Sequence, residues 1–102
     1  MLYISLFDAK QDATLEEINK ERAEWIKKGK NKVFENMCKS VHRYEVIGRT
    51  PLKILFLIDT EDPHALNILA HHFGDKWNSI TYPVLERKIY EALEEDKTIV
   101  GG

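Results

Sequence analysis

Four histidines, four tyrosines, two tryptophans and one cysteine are the residues here whose chemistry could support a site. In the run VHRYE, His42 and Tyr44 stand two apart, so on an extended strand they share a face. There His42 could move a proton and Tyr44 could orient a substrate oxygen. Arg43 and Glu45 take the opposite face and read as a surface ion pair. The plainer alternative puts His42 and Tyr44 at the rim of a sheet with their polar ends in water. His72 is the third candidate for proton transfer. Trp25, Phe56, Trp77 and Tyr82 are candidates to line an aromatic pocket for a planar or apolar ligand; residues of these types more often form core and interface.

No metal site is expected. His64 and His71 lie seven residues apart in a helical stretch, two turns or roughly 10 Å, too far to grip one ion unaided. His71 and Asp75 are four apart, but zinc and iron sites usually take three or four protein ligands, and no cysteine or further acid joins them. Histidines near a helix C-terminus are in any case favoured by the dipole. Cys38 is the single cysteine, so no internal disulfide can form and the chain fits a reducing compartment. A lone cysteine of this kind is usually a small buried apolar residue. There is no glycine-rich phosphate loop, no G-x-S-x-G, no H-E-x-x-H and no paired-cysteine motif. No cofactor is expected either.

The elements that must position these residues follow from periodicity. Leu2 to Phe7 is a strand, apolar on both faces. The stretch DATLEEINKERAEWIKKG opens a helix at Thr14, with Glu17 three residues on as a capping box. Leu15, Ile18, Arg22, Trp25, Ile26 and Gly29 follow the three-four spacing, with Leu15, Ile18, Trp25 and Ile26 as the expected buried stripe and Gly29 as the stop. Residues 30–40 are one amphipathic turn around Val33, Phe34 and Met37, or a loop over the core. Residues 41–50 form a second strand, and GRTPLK supplies hairpin chemistry before KILFLIDT, the third. Asp62 and Pro63 begin a second helix whose expected buried stripe is Leu66, Leu69, Ala70 and Phe73, ending at Gly74. SITYPVLER is a fourth strand, which Pro83 makes an edge or bulged strand. LERKIYEALEED is a last short helix, and KTIVGG a tail, with residues 1–97 as one domain and 98–102 beyond it. The terminal Gly101-Gly102 is like a ubiquitin-like tail, but β-grasp proteins have one main helix and a different order of elements.

This order, β-α-β-β-α-β, predicts an α+β ferredoxin-like split βαβ fold: a four-stranded antiparallel sheet with both helices on one face. The third strand then raises a difficulty. Ile54, Phe56 and Ile58 point one way and Leu55 and Leu57 the other, and either set could meet the helices. The uncovered set would leave a large apolar patch, which soluble monomers rarely tolerate. A second copy packed on it by two-fold symmetry is the economical cover, so a homodimer is expected, with the fourth strand and last helix free to reach across.

The order of elements, the two-sided strands, the Thr60-Glu61-Asp62 strand end, Trp77 and the Pro83-Val84 strand end together resemble the dimeric α/β-barrel superfamily over roughly residues 1–90. Within it the likeness is nearest to a small family of uncharacterised function. The superfamily includes muconolactone isomerases and cofactor-free antibiotic-biosynthesis monooxygenases. The resemblance therefore implies a dimeric α/β barrel with a pocket beside the sheet, and it carries no catalytic motif onto this chain.

With 15 Lys plus Arg against 17 Asp plus Glu the net charge is −2, and no run of five like charges occurs. No nucleic-acid partner is expected from such a balance. The apolar start lacks a basic flank and is cut at Asp8, so it does not read as a signal peptide. No run approaches the roughly 20 apolar residues of a membrane span. The expectation is a cytoplasmic homodimeric module binding a small apolar or aromatic metabolite. One alternative is a cofactor-free isomerase or monooxygenase-like enzyme using a pocket His or Tyr; the other is a structural or regulatory interaction protein.

Overall fold

A computed structural model describes residues 1–99 of the chain; the end of the expected tail, 100–102, lies outside the described residues. The elements run β1 (Leu2–Ala9), α1 (Leu15–Lys27), α2 (Lys30–Asn36), β2 (Ser40–Glu45), β3 (Lys53–Asp59), α3 (His64–Phe73), β4 (Trp77–Val84) and α4 (Ile89–Ile99), with a 3₁₀ turn at Gly74–Lys76. The strands form one sheet in the order β2-β3-β1-β4. Every neighbouring pair is antiparallel, so β1 and β2 are parallel with β3 between them, and β3 and β4 are parallel with β1 between them. This is the ferredoxin-like split βαβ arrangement.

Alternation along the central strands divides the sheet into two faces. Ser5, Phe7 and Ala9 of β1 and Ile54, Phe56 and Ile58 of β3 are buried under the helices. Their neighbours Ile4, Leu6, Leu55 and Leu57 point to the other side and are only half-buried. On that side they continue into Ile80 and Tyr82 of β4, opposite Leu6 and Ile4, and into His42 and Tyr44 of β2, opposite Leu57 and Leu55. Tyr44, Ile80 and Tyr82 are each about half exposed (55%, 47% and 48%). Ion pairs edge this apolar field: Asp8 with Lys53 and Arg49 at one end, the Met1 amino group with Asp59 and Glu61 at the other.

The core under the helices is aromatic. Phe7 stacks on Phe73 at 3.8 Å between ring centres, and Phe56 and Trp77 meet Phe73 edge-on at 5.9 and 4.9 Å. Such pairs contribute beyond the area they bury. Thr60, fully buried, donates to the Met37 carbonyl (2.7 Å) and accepts from the Asp62 amide (3.1 Å), joining the end of β3 to the end of α2 and the start of α3.

Local expectations hold in part. Thr14 caps α1, its Oγ1 accepting from the Glu17 amide at 3.2 Å. The Glu17 carboxylate, instead of closing the box, pairs with Lys76 and ties α1 to the turn before β4. The expected α1 stripe is narrower than its spacing suggests: Ile18 is buried and Trp25 half-buried, but Leu15 and Ile26 are exposed. The helix lies over only part of the sheet, and α2 takes the room next to it. Residues 30–36 form that second helix, entered through Gly29 at φ 71 and anchored by Phe34. In α3, Ala65 joins Leu69 and Phe73 in the core while Leu66 and Ala70 are half-buried. Pro83 lies in β4, which pairs only with β1 and is therefore an edge strand. α4 starts at Ile89 rather than Leu85 and runs through Lys97 to Ile99, so the stretch expected as tail is helical at 98 and 99. All its described side chains except Ala92 are exposed. The chain measures 55 × 30 × 20 Å with a radius of gyration of 16.7 Å. A compact domain of this size has about 13 Å, so the chain is more extended than that.

Candidate functional site

A cavity of about 390 Å³ opens between the helix-covered face of the sheet and α1, α2 and α3. Its volume is in the range of roughly 300–1,000 Å³ usual for small-molecule sites. Each element contributes through its own periodicity. Spacing of three and four along α1 brings Ile18, Arg22 and Trp25 to one side; α2 presents Asn31 and Phe34, and α3 Leu69, His72 and Phe73. Alternation on β2 turns Val41 and Arg43 inward, with Phe56 of β3 beside them and Trp77 at the base of β4.

The ring of His72 lies flat on the indole of Trp25, centres 4.2 Å apart and planes 25° from parallel, and meets Phe73 at 5.3 Å. The Trp25 indole N–H donates to Asn31 Oδ1 (3.0 Å), and Asn31 Nδ2 donates to Glu35 (3.1 Å), which holds the stack in one orientation. Trp25 and His72 also border an outer groove of about 520 Å³, reached by Lys30, Val33, Ile68 and His71. The stacked pair is thus the wall between the inner cavity and the outer groove. Burial, then the cations of Arg22, Lys30 and Arg43, push the His72 pKa down, so its ring is neutral near pH 7. Arg22 is itself pushed down by burial and by Arg43, against the pull of Glu45. Both guanidiniums reach the same oxygen, Glu45 Oε1, Arg43 at 2.8 Å and Arg22 at 3.2 Å.

Four of the residues expected to carry a site come together here. Trp25, Phe56, His72 and Trp77 line the cavity. His42, Tyr44 and Tyr82 do not; all three lie on the uncovered face of the sheet, on the far side from the helices. Arg43 and Glu45 do form the expected ion pair, but on the helix side, with Arg43 at the cavity wall. Sequence reasoning passed over Arg22, Asn31, Phe34 and Arg43. For Arg22 the signal was present: an arginine standing within an otherwise apolar helical stripe. For Arg43 the assignment depended on which face of β3 the helices cover, which two equally apolar faces conceal. Cys38 is half-buried, its thiol donating to the Phe34 carbonyl at 3.3 Å, and burial pushes its pKa up. Among the described residues no three of His, Cys, Asp or Glu group together in a way that could hold a metal ion.

Comparison with solved structures finds the same fold. A crystal structure described as an antibiotic biosynthesis monooxygenase superposes with a TM-score of 0.50 at 16% identity, over 84% of this chain and all of that one. A hypothetical protein of Sulfolobus islandicus rod-shaped virus 1 matches at 0.45 and 13% identity, over 98% of this chain and 79% of its own. An Arabidopsis thaliana protein matches at 0.45 and 18%, over 87% of this chain and the whole of its own. No family model matches the sequence, and no curated protein matches it.

Proposed function

We propose that this chain is a cytoplasmic homodimeric module that binds a small apolar or aromatic metabolite between its sheet and its helices. The observation that carries the reading is the cavity: a concave space of about 390 Å³ between sheet and helices, with Trp25, Phe34, Phe56, His72, Phe73 and Trp77 among its lining. A largely apolar cleft of this size with a few polar groups converging on it is the usual form of a small-molecule site. Homodimerisation rests on the uncovered sheet face, where Ile4, Leu6, Leu55, Leu57, Ile80 and Tyr82 form an apolar field edged by ion pairs, the composition of an interface core and rim. Two such sheets face to face would make the dimeric α/β barrel that the sequence pattern resembles.

A cofactor-free enzyme of isomerase or monooxygenase type is the second reading, and one observation favours it. His72 faces the cavity as a neutral imidazole, the form that can take a proton from a bound substrate. His42 and Tyr44 would take part only in a second site enclosed between two copies. Native mass spectrometry of freshly purified protein tests the module: a dimer carrying an added small mass that is lost on unfolding is expected. A bare monomer would overturn it.

A further inference from the structure

The metabolite reading leaves the polar side of the cavity unexplained, and that side narrows the ligand. Arg22 comes from α1 and Arg43 from β2, distant in sequence, yet both are brought to one cavity wall. A guanidinium carries five N–H donors. Among the described residues Arg43 gives one to Glu45, while Arg22 gives one to Glu45 and a long one (3.4 Å) to Asn19. Two cations therefore share a single carboxylate oxygen, and most of their donors have no protein acceptor among the described residues. Glu45 is not on the lining, and the two carboxylates that are pair with neither arginine: Glu35 accepts from Asn31 on α2, and Glu21 stands where the cavity meets the outer groove. At His72, facing the same space, the charges that act are those of Arg22, Lys30 and Arg43, all positive.

Both guanidiniums are partly open to water (side chains 30% and 40% exposed), and a neutral aromatic ligand lying against them would cover donors without offering them a charged acceptor. A cationic group placed at this wall would be repelled by Arg22 and Arg43. A carboxylate presents two oxygens in the spacing that guanidiniums grip with parallel bonds. The flat Trp25–His72 pair, with Phe56 and Phe73 beyond it, gives a ring system a surface to stack on. We infer that the ligand is a planar aromatic carboxylate, its ring system among the aromatic walls and its carboxylate on Arg22 and Arg43. This rests on the cavity being a metabolite site.

Equilibrium dialysis with naphthoate and its neutral isostere naphthamide is the test, on the full chain and on Arg43→Gln and Arg43→Lys. Naphthoate is expected to bind at least about tenfold tighter than naphthamide, as one charge-assisted pair implies. Arg43→Gln should remove that preference, and Arg43→Lys should restore part of it. Equal binding of the two probes to the unmodified chain would overturn the carboxylate inference and leave the aromatic cavity standing. A preference that survives Arg43→Gln would overturn the assignment to this wall. Binding of neither probe would overturn both this inference and the metabolite reading.

Discussion

His72 links the packing of the cavity to its chemistry. Its ring is held flat on Trp25, half-buried, and within the field of Arg22, Lys30 and Arg43, so the folded protein resists protonating it. An unfolded chain does not resist, and its histidines titrate near pH 6.5. Below that value the unfolded state binds a proton that the folded state refuses, so the stability present above it declines as pH falls toward the lowered folded pKa. Replacing the imidazole by a ring that stacks but does not titrate should flatten this. In thermal melts from about pH 8 to about pH 5, His72→Phe is expected to lose less stability than the unmodified chain. Parallel curves would show that His72 takes up its proton as freely folded as unfolded. Asp62, whose carboxyl is held low by its hydrogen bonds from His64, titrates well below this window.

At this scale the sequence named most of the aromatic lining but not its company. Trp25, Phe56, His72 and Trp77 were identifiable by type, and each reaches the cavity. His42 and Tyr44 share a face, as their spacing requires, but it is the other face. Spacing determines which residues point together. The direction they point depends on which side of β3 the helices bury, and Leu55 and Leu57 are as apolar as Ile54 and Phe56.

Among the elements, α1, α3 and the four strands were legible because each has a long period or a strong boundary: Thr14, Pro63, Pro83. α2 was not. Seven residues with one fully buried side chain, Phe34, give no period to read, and the helix follows α1 after a single break. That break is Gly29, whose φ of 71 lies in the left-handed region while its amide still bonds back to Ile26 (3.0 Å) and its carbonyl starts α2. Nothing stands near where a Cβ would be, so only the backbone conformation opposes a side chain there. Gly29→Ala should therefore cost about 1–2 kcal/mol in chemical denaturation, the penalty of left-handed backbone for an L-residue. An unchanged midpoint would mean that α1 and α2 can join by another route.

For the whole molecule, the same two-sided strands that hid the orientation of the site leave an apolar sheet face uncovered, the face on which a second copy is proposed to pack. Leu57 lies in the middle of the uncovered face, between His42 of β2 and Ile4 of β1. If two sheets meet there, Leu57→Lys buries an unpaired charge in each half of the interface, and breaking such contacts is strongly unfavourable. Sedimentation should then show monomer and thermal melts a lower midpoint. An unchanged mass and midpoint would count against this face as the meeting surface.

α4 carries a consequence for how the fold is reached. It has 11 residues, and its internal ties are surface ones: Arg87 to Glu95 and Asp96, Lys97 to Glu94, Thr98 to the Glu95 carbonyl. Isolated helices shorter than about 12–15 residues are marginal in water. Ile89, Tyr90, Leu93 and Ile99 gain nothing while they face solvent. If two copies pair as proposed and α4 docks on its neighbour, the coil-to-helix equilibrium of this segment follows mass action: dilution should unwind it before the sheet melts, and helical circular dichroism should climb with protein concentration. On that account α4 would act as a built-in gauge of how much of the protein is paired.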